Sequence, residues 1–200
     1  MSEHENLGKV VASERFPVVD YKLRRGVHIA IEDVEPYEFI KLNITELSKL
    51  YRRYEADLIE GAEGYFYLVS RGAIFGQRQL TKAEMLVGLS IAHLYRDPEH
   101  RIRGTGELTI EQVISRLETL KSQEDIARIM TETKFKVELQ PSKMREAVSA
   151  AMKTLAALNF IQLTPGTENT FRCKRPIYRF TQFIMQPEST SEPVSEKMKP

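Results

Sequence analysis

A mainly helical α+β chain with small hairpin wings, arranged as two tandem winged helix-turn-helix units, is the fold class this sequence predicts. Three observations lead there. A helical stretch followed at once by two short apolar strands across a turn containing glycine occurs twice, around residues 35–69 and 141–173. Two further helices open on the same start signals, a capping box with its hydrophobic staple. Between the repeats lies a polar break containing Pro98, Gly104 and Gly106.

Residues 1–15 carry little periodicity and are expected to form a flexible arm. Phe16-Pro17 opens a short helix that closes near Arg24-Arg25-Gly26, with Gly26 suited to the cap and the cations in the last turn. Glu35-Pro36 starts one longer helix with Ile40, Ile44, Leu47, Tyr51 and Tyr54 along a face. Residues 57–60 and 65–69 form a hairpin about Gly61-Ala62-Glu63-Gly64, whose glycines suit positive φ. Thr81 with Glu84, and Leu80 with Met85, then set the start of a helix whose body is apolar on most sides, at Leu86, Val87, Leu89, Ile91, Ala92 and Leu94. Such a helix requires burial on more than one face, in a core or at a subunit interface.

Past the break, Thr109 with Gln112, and Leu108 with Val113, repeat the start signals, and Ile110, Val113, Ile114, Leu117 and Leu120 supply the apolar face. A weaker helix over 121–133 uses Ile126, Ile129 and Met130. Pro141 opens the last long helix, with Met144, Val148, Met152, Leu155 and Leu158 on one face and Arg145, Ser149 and Lys153 on the other. Residues 160–163 and 170–173 form the second wing. The expected organisation is an arm at 1–15, a first winged-helix domain at 16–107 that carries the dimer contact, a second at 108–185, and a disordered Pro/Ser-rich tail at 186–200.

Composition narrows the function. At 42% hydrophobic the chain can bury a core, and 29 basic against 28 acidic residues give a net charge of +1, unlike a polycation. One cysteine, Cys173, rules out an intrachain disulfide and suits a reducing compartment. With no signal-peptide pattern and no run near the ~20 apolar residues needed to span a bilayer, a cytoplasmic protein without membrane contact is expected. His4, His28, His93 and His100 lack metal-ligand spacing, and Gly104-Thr105-Gly106 lacks the strand and lysine of a phosphate loop. No catalytic residue, metal or cofactor is expected, and Cys173 reads as a buried structural thiol.

Two constellations remain. Arg172, Lys174, Arg175 and Arg179 fall close together without an acid between them, and with Lys143, Arg145 and Lys153 could form a seven-cation face that binds DNA phosphates without sequence preference. The last long helix offers Ala156 and Ala157 rather than side chains that read base edges, which disfavours a free-standing transcriptional regulator. In the first hairpin Tyr65 and Tyr67 share one face and Phe66 the other, so Tyr65, Phe66 and Tyr67 are candidate anchors for a partner peptide.

The order of motifs resembles the family of E subunits of the bacterial condensin MukBEF. The likeness runs from Phe16-Pro17 through Arg24-Arg25-Gly26-Val27-His28-Ile29, the hairpin at 58–68, Leu86-Val87-Gly88 and Ala92-His93-Leu94-Tyr95, and closes on Tyr178-Arg179-Phe180. The resemblance implies tandem winged helices in a homodimer that binds a kleisin (MukF-like) subunit, for which Tyr65, Phe66 and Tyr67 are the candidate residues. It also implies work beside an SMC ATPase (MukB-like), whose activity the subunit helps regulate, and weak contact with duplex DNA enclosed by the complex at the nucleoid. The related MksE and plasmid-defence subunits share this architecture. The sequence departs from the family in a last long helix poorer in cations, where Ala147, Ser149, Ala156 and Ala157 stand, and in a short mixed tail.

Overall fold

The computed structural model describes residues 3–72, 74, 78–98, 106–131, 140–166 and 169–182. After helix α1 (Glu3–Val11), the first half runs α2 (Phe16–Arg24), β1 (Ile29–Ala30), α3 (Val34–Leu42), α4 (Ile44–Arg52), β2 (Ala56–Gly61) and β3 (Tyr65–Ser70). The second half runs α5 (Lys82–Arg96), β4 (Glu107–Thr109), α6 (Ile110–Leu120), α7 (Gln123–Thr131), α8 (Pro141–Ala157), β5 (Ile161–Leu163) and β6 (Thr170–Cys173). A 3₁₀ turn (Arg175–Tyr178) and the short α9 (Arg179–Gln182) follow. Each half contains a three-stranded antiparallel sheet whose last strand lies in the middle, β1-β3-β2 and β4-β6-β5. The chain is therefore α+β with small sheets, and the repeated order is compatible with tandem winged helices.

Local chemistry explains the boundaries. Both α2 and α8 end in Schellman motifs. Val27 N–H bonds Lys22 O and Gly26 N–H bonds Leu23 O after α2, while Phe160 N–H bonds Leu155 O and Asn159 N–H bonds Ala156 O after α8. The left-handed positions are Gly26 (φ +76°) and Asn159 (φ +68°), the two residue types that adopt it most readily. Both capping boxes form as expected, with Thr81 Oγ1 accepting from Glu84 N–H and Thr109 Oγ1 from Gln112 N–H, each at 3.2 Å.

The single helix expected from Glu35 to Tyr54 is two. Asn43 separates α3 from α4 because its side-chain amide donates to Phe39 O at 2.8 Å and its N–H turns to Ile40 O, so the i→i−4 ladder is interrupted. The arm expected over 1–15 is also corrected. Residues 3–11 are helical, α1 lies beside α4, and Val10 is buried in the first core. So short a helix is held by docking rather than by propensity, which leaves a faint trace in sequence.

Two apolar clusters form. The first gathers Val19, Leu23, Ile29, Ile40, Leu47, Tyr51 and Phe66. The second joins α5 (Val87, Ile91, Ala92, Leu94) to α6, α8, β6 and α9 through Val113, Leu117, Val148, Leu155, Phe171 and Phe180. The apolar-all-round helix is thus explained by a core that covers several of its faces. Helix α5 belongs to the second core, so packing divides the chain between residues 70 and 82, not at the expected 107/108. Gly88 sits where Phe180 crosses α5: a Cβ there would lie 2.3 Å from the Phe180 ring. The expected disordered tail at 186–200 lies outside the described residues.

Candidate functional site

The most distinctive chemistry of the structure lies in the seam where the two units meet. Asp33, just after β1, is its hub. It accepts from Lys174 Nζ at 2.8 Å, from Asn159 Nδ2 at 2.6 Å and from Ala30 N–H at 3.1 Å. Burial works against the Asp33 carboxylate, but these donors outweigh it and hold the pKa below the usual value. Asn159 also donates to His28 O at 2.8 Å. The αL turn that ends α8 therefore aims an amide at the first unit.

His28 is the second centre. Its backbone N–H and ring Nδ1 both reach Leu158 O at 3.1 Å. A carbonyl only accepts, so Nδ1 carries the proton, and Nε2 accepts from Arg179 Nη1 at 2.9 Å. Burial, with the Arg179 charge beside it, lowers the His28 pKa to about 3, so the ring is neutral near pH 7. Tyr67 lies flat beneath the guanidinium, 4.1 Å from Arg179 Cζ to the ring centroid, and Phe160 packs on His28 at 4.3 Å between centroids. The 71–80 linker adds Arg78, which donates to Glu84 and to Thr154 Oγ1 at 3.3 Å each.

This geometry redistributes the seven expected DNA-binding cations. Lys174 and Arg179 are consumed by the seam, and Arg175 faces Glu32 and Glu63 of the first unit at 3.8 Å. Arg172 pairs with Glu107, directly opposite it across β4 and β6, at 3.0 Å. Arg145 bridges Glu111 and Asn169 at 2.7 Å. Only Lys143 and Lys153, both exposed on α8, have no acidic partner among the described residues. A single seven-cation face is not formed, because five of the seven find partners distant in sequence.

The hairpin aromatics are corrected as well. Tyr65 and Phe66 are both 0% exposed: Phe66 fills the first core and stacks near Tyr37, while Tyr65 packs over Gly61 towards His28. Neither is a surface anchor. Tyr67 is half-buried under Arg179. Cys173 packs against the second core, and burial raises its pKa, so its thiol stays protonated. Sequence reasoning missed Asp33, Asn159 and Arg78. An asparagine just past a helix end was a legible signal, but its distant partner was not.

Two helical units with small wings, locked by a buried polar seam and holding no group of three His, Cys, Asp or Glu side chains able to bind a metal among the described residues, define an adaptor class of protein. No helix among those residues is long and apolar enough to cross a membrane. The MukE-like family model matches residues 3–195, and the chain belongs to that family. Curated relatives bear the name chromosome partition protein MukE. The one from Vibrio cholerae is 30% identical, over 88% of this chain and 76% of its own length. That from Photorhabdus laumondii is 28% identical (87% and 75%), and that from Mannheimia succiniciproducens 32% (87% and 73%). The family is named for chromosome partition and not for an enzymatic reaction.

Proposed function

We propose that this chain is a non-catalytic subunit of a bacterial SMC-type chromosome partition complex. In that role it is a homodimer that binds a kleisin, helps regulate the neighbouring SMC ATPase, and touches DNA enclosed by the complex at the nucleoid. The observation that carries this reading is membership of the MukE-like family over residues 3–195. The seam supports a scaffold role, because a kleisin segment crossing both units would meet a surface whose two halves are already held in register. Val18 and Tyr21 on α2 and Leu42 at the end of α3 are large apolar side chains left more than half exposed, and they support a dimer contact in the first unit. Lys143 and Lys153 are the cations available to phosphates, with Arg145 and Arg172 at the rim. The test is co-purification with the kleisin encoded beside this gene, together with light scattering of the free subunit. A kleisin that is not retained would remove the reading, and a monomer at tens of micromolar would remove the dimer.

A further inference from the structure

Between the two units, beside the 71–80 linker, lies a cleft of about 100 Å³. Leu23, Leu68, Leu158 and Phe160 make much of its wall, and three arginines reach it from separate places: Arg24 at the end of α2, Arg78 in the linker and Arg179 at the start of α9. No carboxylate lines it. Two of the arginines are neutralised from outside the cleft, Arg24 by Asp20 at 2.7 Å and Arg78 by Glu84 at 3.3 Å. Arg179 is different. Its partners are the neutral His28 ring and the Tyr67 face, and no described carboxylate pairs with it. Its guanidinium is therefore held in place by two aromatic rings while its charge goes unbalanced.

We propose that this cleft receives the acidic side chain of an extended peptide segment of the kleisin partner, its carboxylate on Arg179 and its apolar neighbours against the leucine and phenylalanine wall. This rests on the kleisin-binding reading above. A planar guanidinium fork matches a carboxylate, and a preorganised one loses little rotamer freedom on binding. Arg24 and Arg78 at the mouth concentrate anions there, since their potential adds even where each is paired. The volume fits one carboxylate-bearing side-chain end and excludes duplex phosphates carried on a ~20 Å rod, the sum of a wide groove and its flanking backbones. The apolar wall adds nothing for a free inorganic anion but buries the residues beside a glutamate or aspartate.

The experiment titrates the full chain with a capped pentapeptide bearing a central glutamate between leucines, and with its glutamine counterpart, following the Arg179 side-chain N–H signal by NMR. The glutamate peptide should shift that signal saturably and bind at least tenfold tighter than the glutamine peptide. R179Q should abolish binding, and R78Q, which leaves the His28 contacts in place, should weaken it severalfold. Should R179Q fail to fold, R78Q and the peptide pair still decide the matter. Equal binding of the two peptides, or shifts that map elsewhere, overturns the assignment. So does a shift of the Arg179 signal in the full chain on replacing Glu188, Glu192 and Glu196 with Gln, because the cleft would then hold the chain's own tail. A kleisin that binds wild type, R179Q and R78Q alike overturns the cleft alone, whereas a kleisin that never binds, with the peptide result intact, overturns the complex and leaves the cleft.

Discussion

His28 and Arg179 lie 151 residues apart in sequence and 2.9 Å apart in space, Nε2 to Nη1. The contact requires a neutral imidazole, since a protonated ring would put two N–H groups nose to nose. With the folded pKa near 3 against a usual 6.5, the unfolded chain binds the extra proton between those values. This contribution to stability is therefore complete above pH ~6.5 and is lost as pH falls towards 3, at up to ~1.4 kcal/mol per pH unit. Urea unfolding at pH 7, 6, 5 and 4.5 should show that decline, and H28Q should flatten it. An unchanged slope in H28Q would mean that other groups carry the acid sensitivity.

Asp33 should behave as the hinge pin of the seam. Lys174 is 14% exposed at its side chain and has Asp33 as its partner, so D33A leaves a largely buried ammonium without a counter-charge. The expected loss is about 2–3 kcal/mol, between exposed and fully buried pairs. Its depressed pKa predicts a second acid-dependent loss: the stabilisation is present above the unfolded value near 4 and vanishes as pH falls through the folded one. Thermal melts of D33A, K174M and the double variant should show non-additivity, and strict additivity would remove the pair.

Gly88→Ala tests the α5–α9 contact. A methyl group would stand 2.3 Å from a ring that is itself in the second core, and neither backbone nor ring can retreat freely. A loss of about 1–3 kcal/mol is expected from overpacking, despite the better helix propensity of alanine. A stabilised G88A would show that Phe180 swings away easily.

The caps offer a smaller, cleaner effect. T109A should cost about 1 kcal/mol, because it removes an acceptor from Gln112 N–H at the start of α6. T81A should do the same for α5. Chemical denaturation of each variant at pH 7 reads both.

DNA retention should depend on α8 and not on the wing. K143E/K153E should abolish what binding the complex shows through this subunit, whereas R172E/K174E should lower the melting temperature by breaking the Glu107 and Asp33 pairs. Two phosphate contacts per protomer predict a log–log salt slope of about −1.8. Equal DNA loss from both double variants at unchanged stability would restore the single-face reading.

How far the sequence reached can be seen element by element. The Thr81 and Thr109 caps, Gly26 at its helix end, the hairpins and the core-bound α5 all follow from residues within a few positions of one another, where hydrogen-bond geometry and side-chain period act directly. Period two also set Tyr65 and Tyr67 on one face and Phe66 on the other. What covers each face was decided elsewhere. Tyr65 is buried between its own sheet and the His28 side of the seam, and Arg179 comes to lie on Tyr67 from the far end of the chain.

The sequence by itself determined the two helix-and-wing repeats, their caps and the family likeness, because those depend on local order and composition. The tertiary structure alone decided that Lys174, Arg175 and Arg179 face the first unit instead of solvent, that α5 joins the second core, and that Arg179 keeps an unbalanced charge in a cleft. A charge has no partner in sequence space. Whether it ends up paired, stacked or free depends on which distant acid or ring folding brings within about 4 Å, and Coulomb energy at that range outweighs any local preference of the side chain.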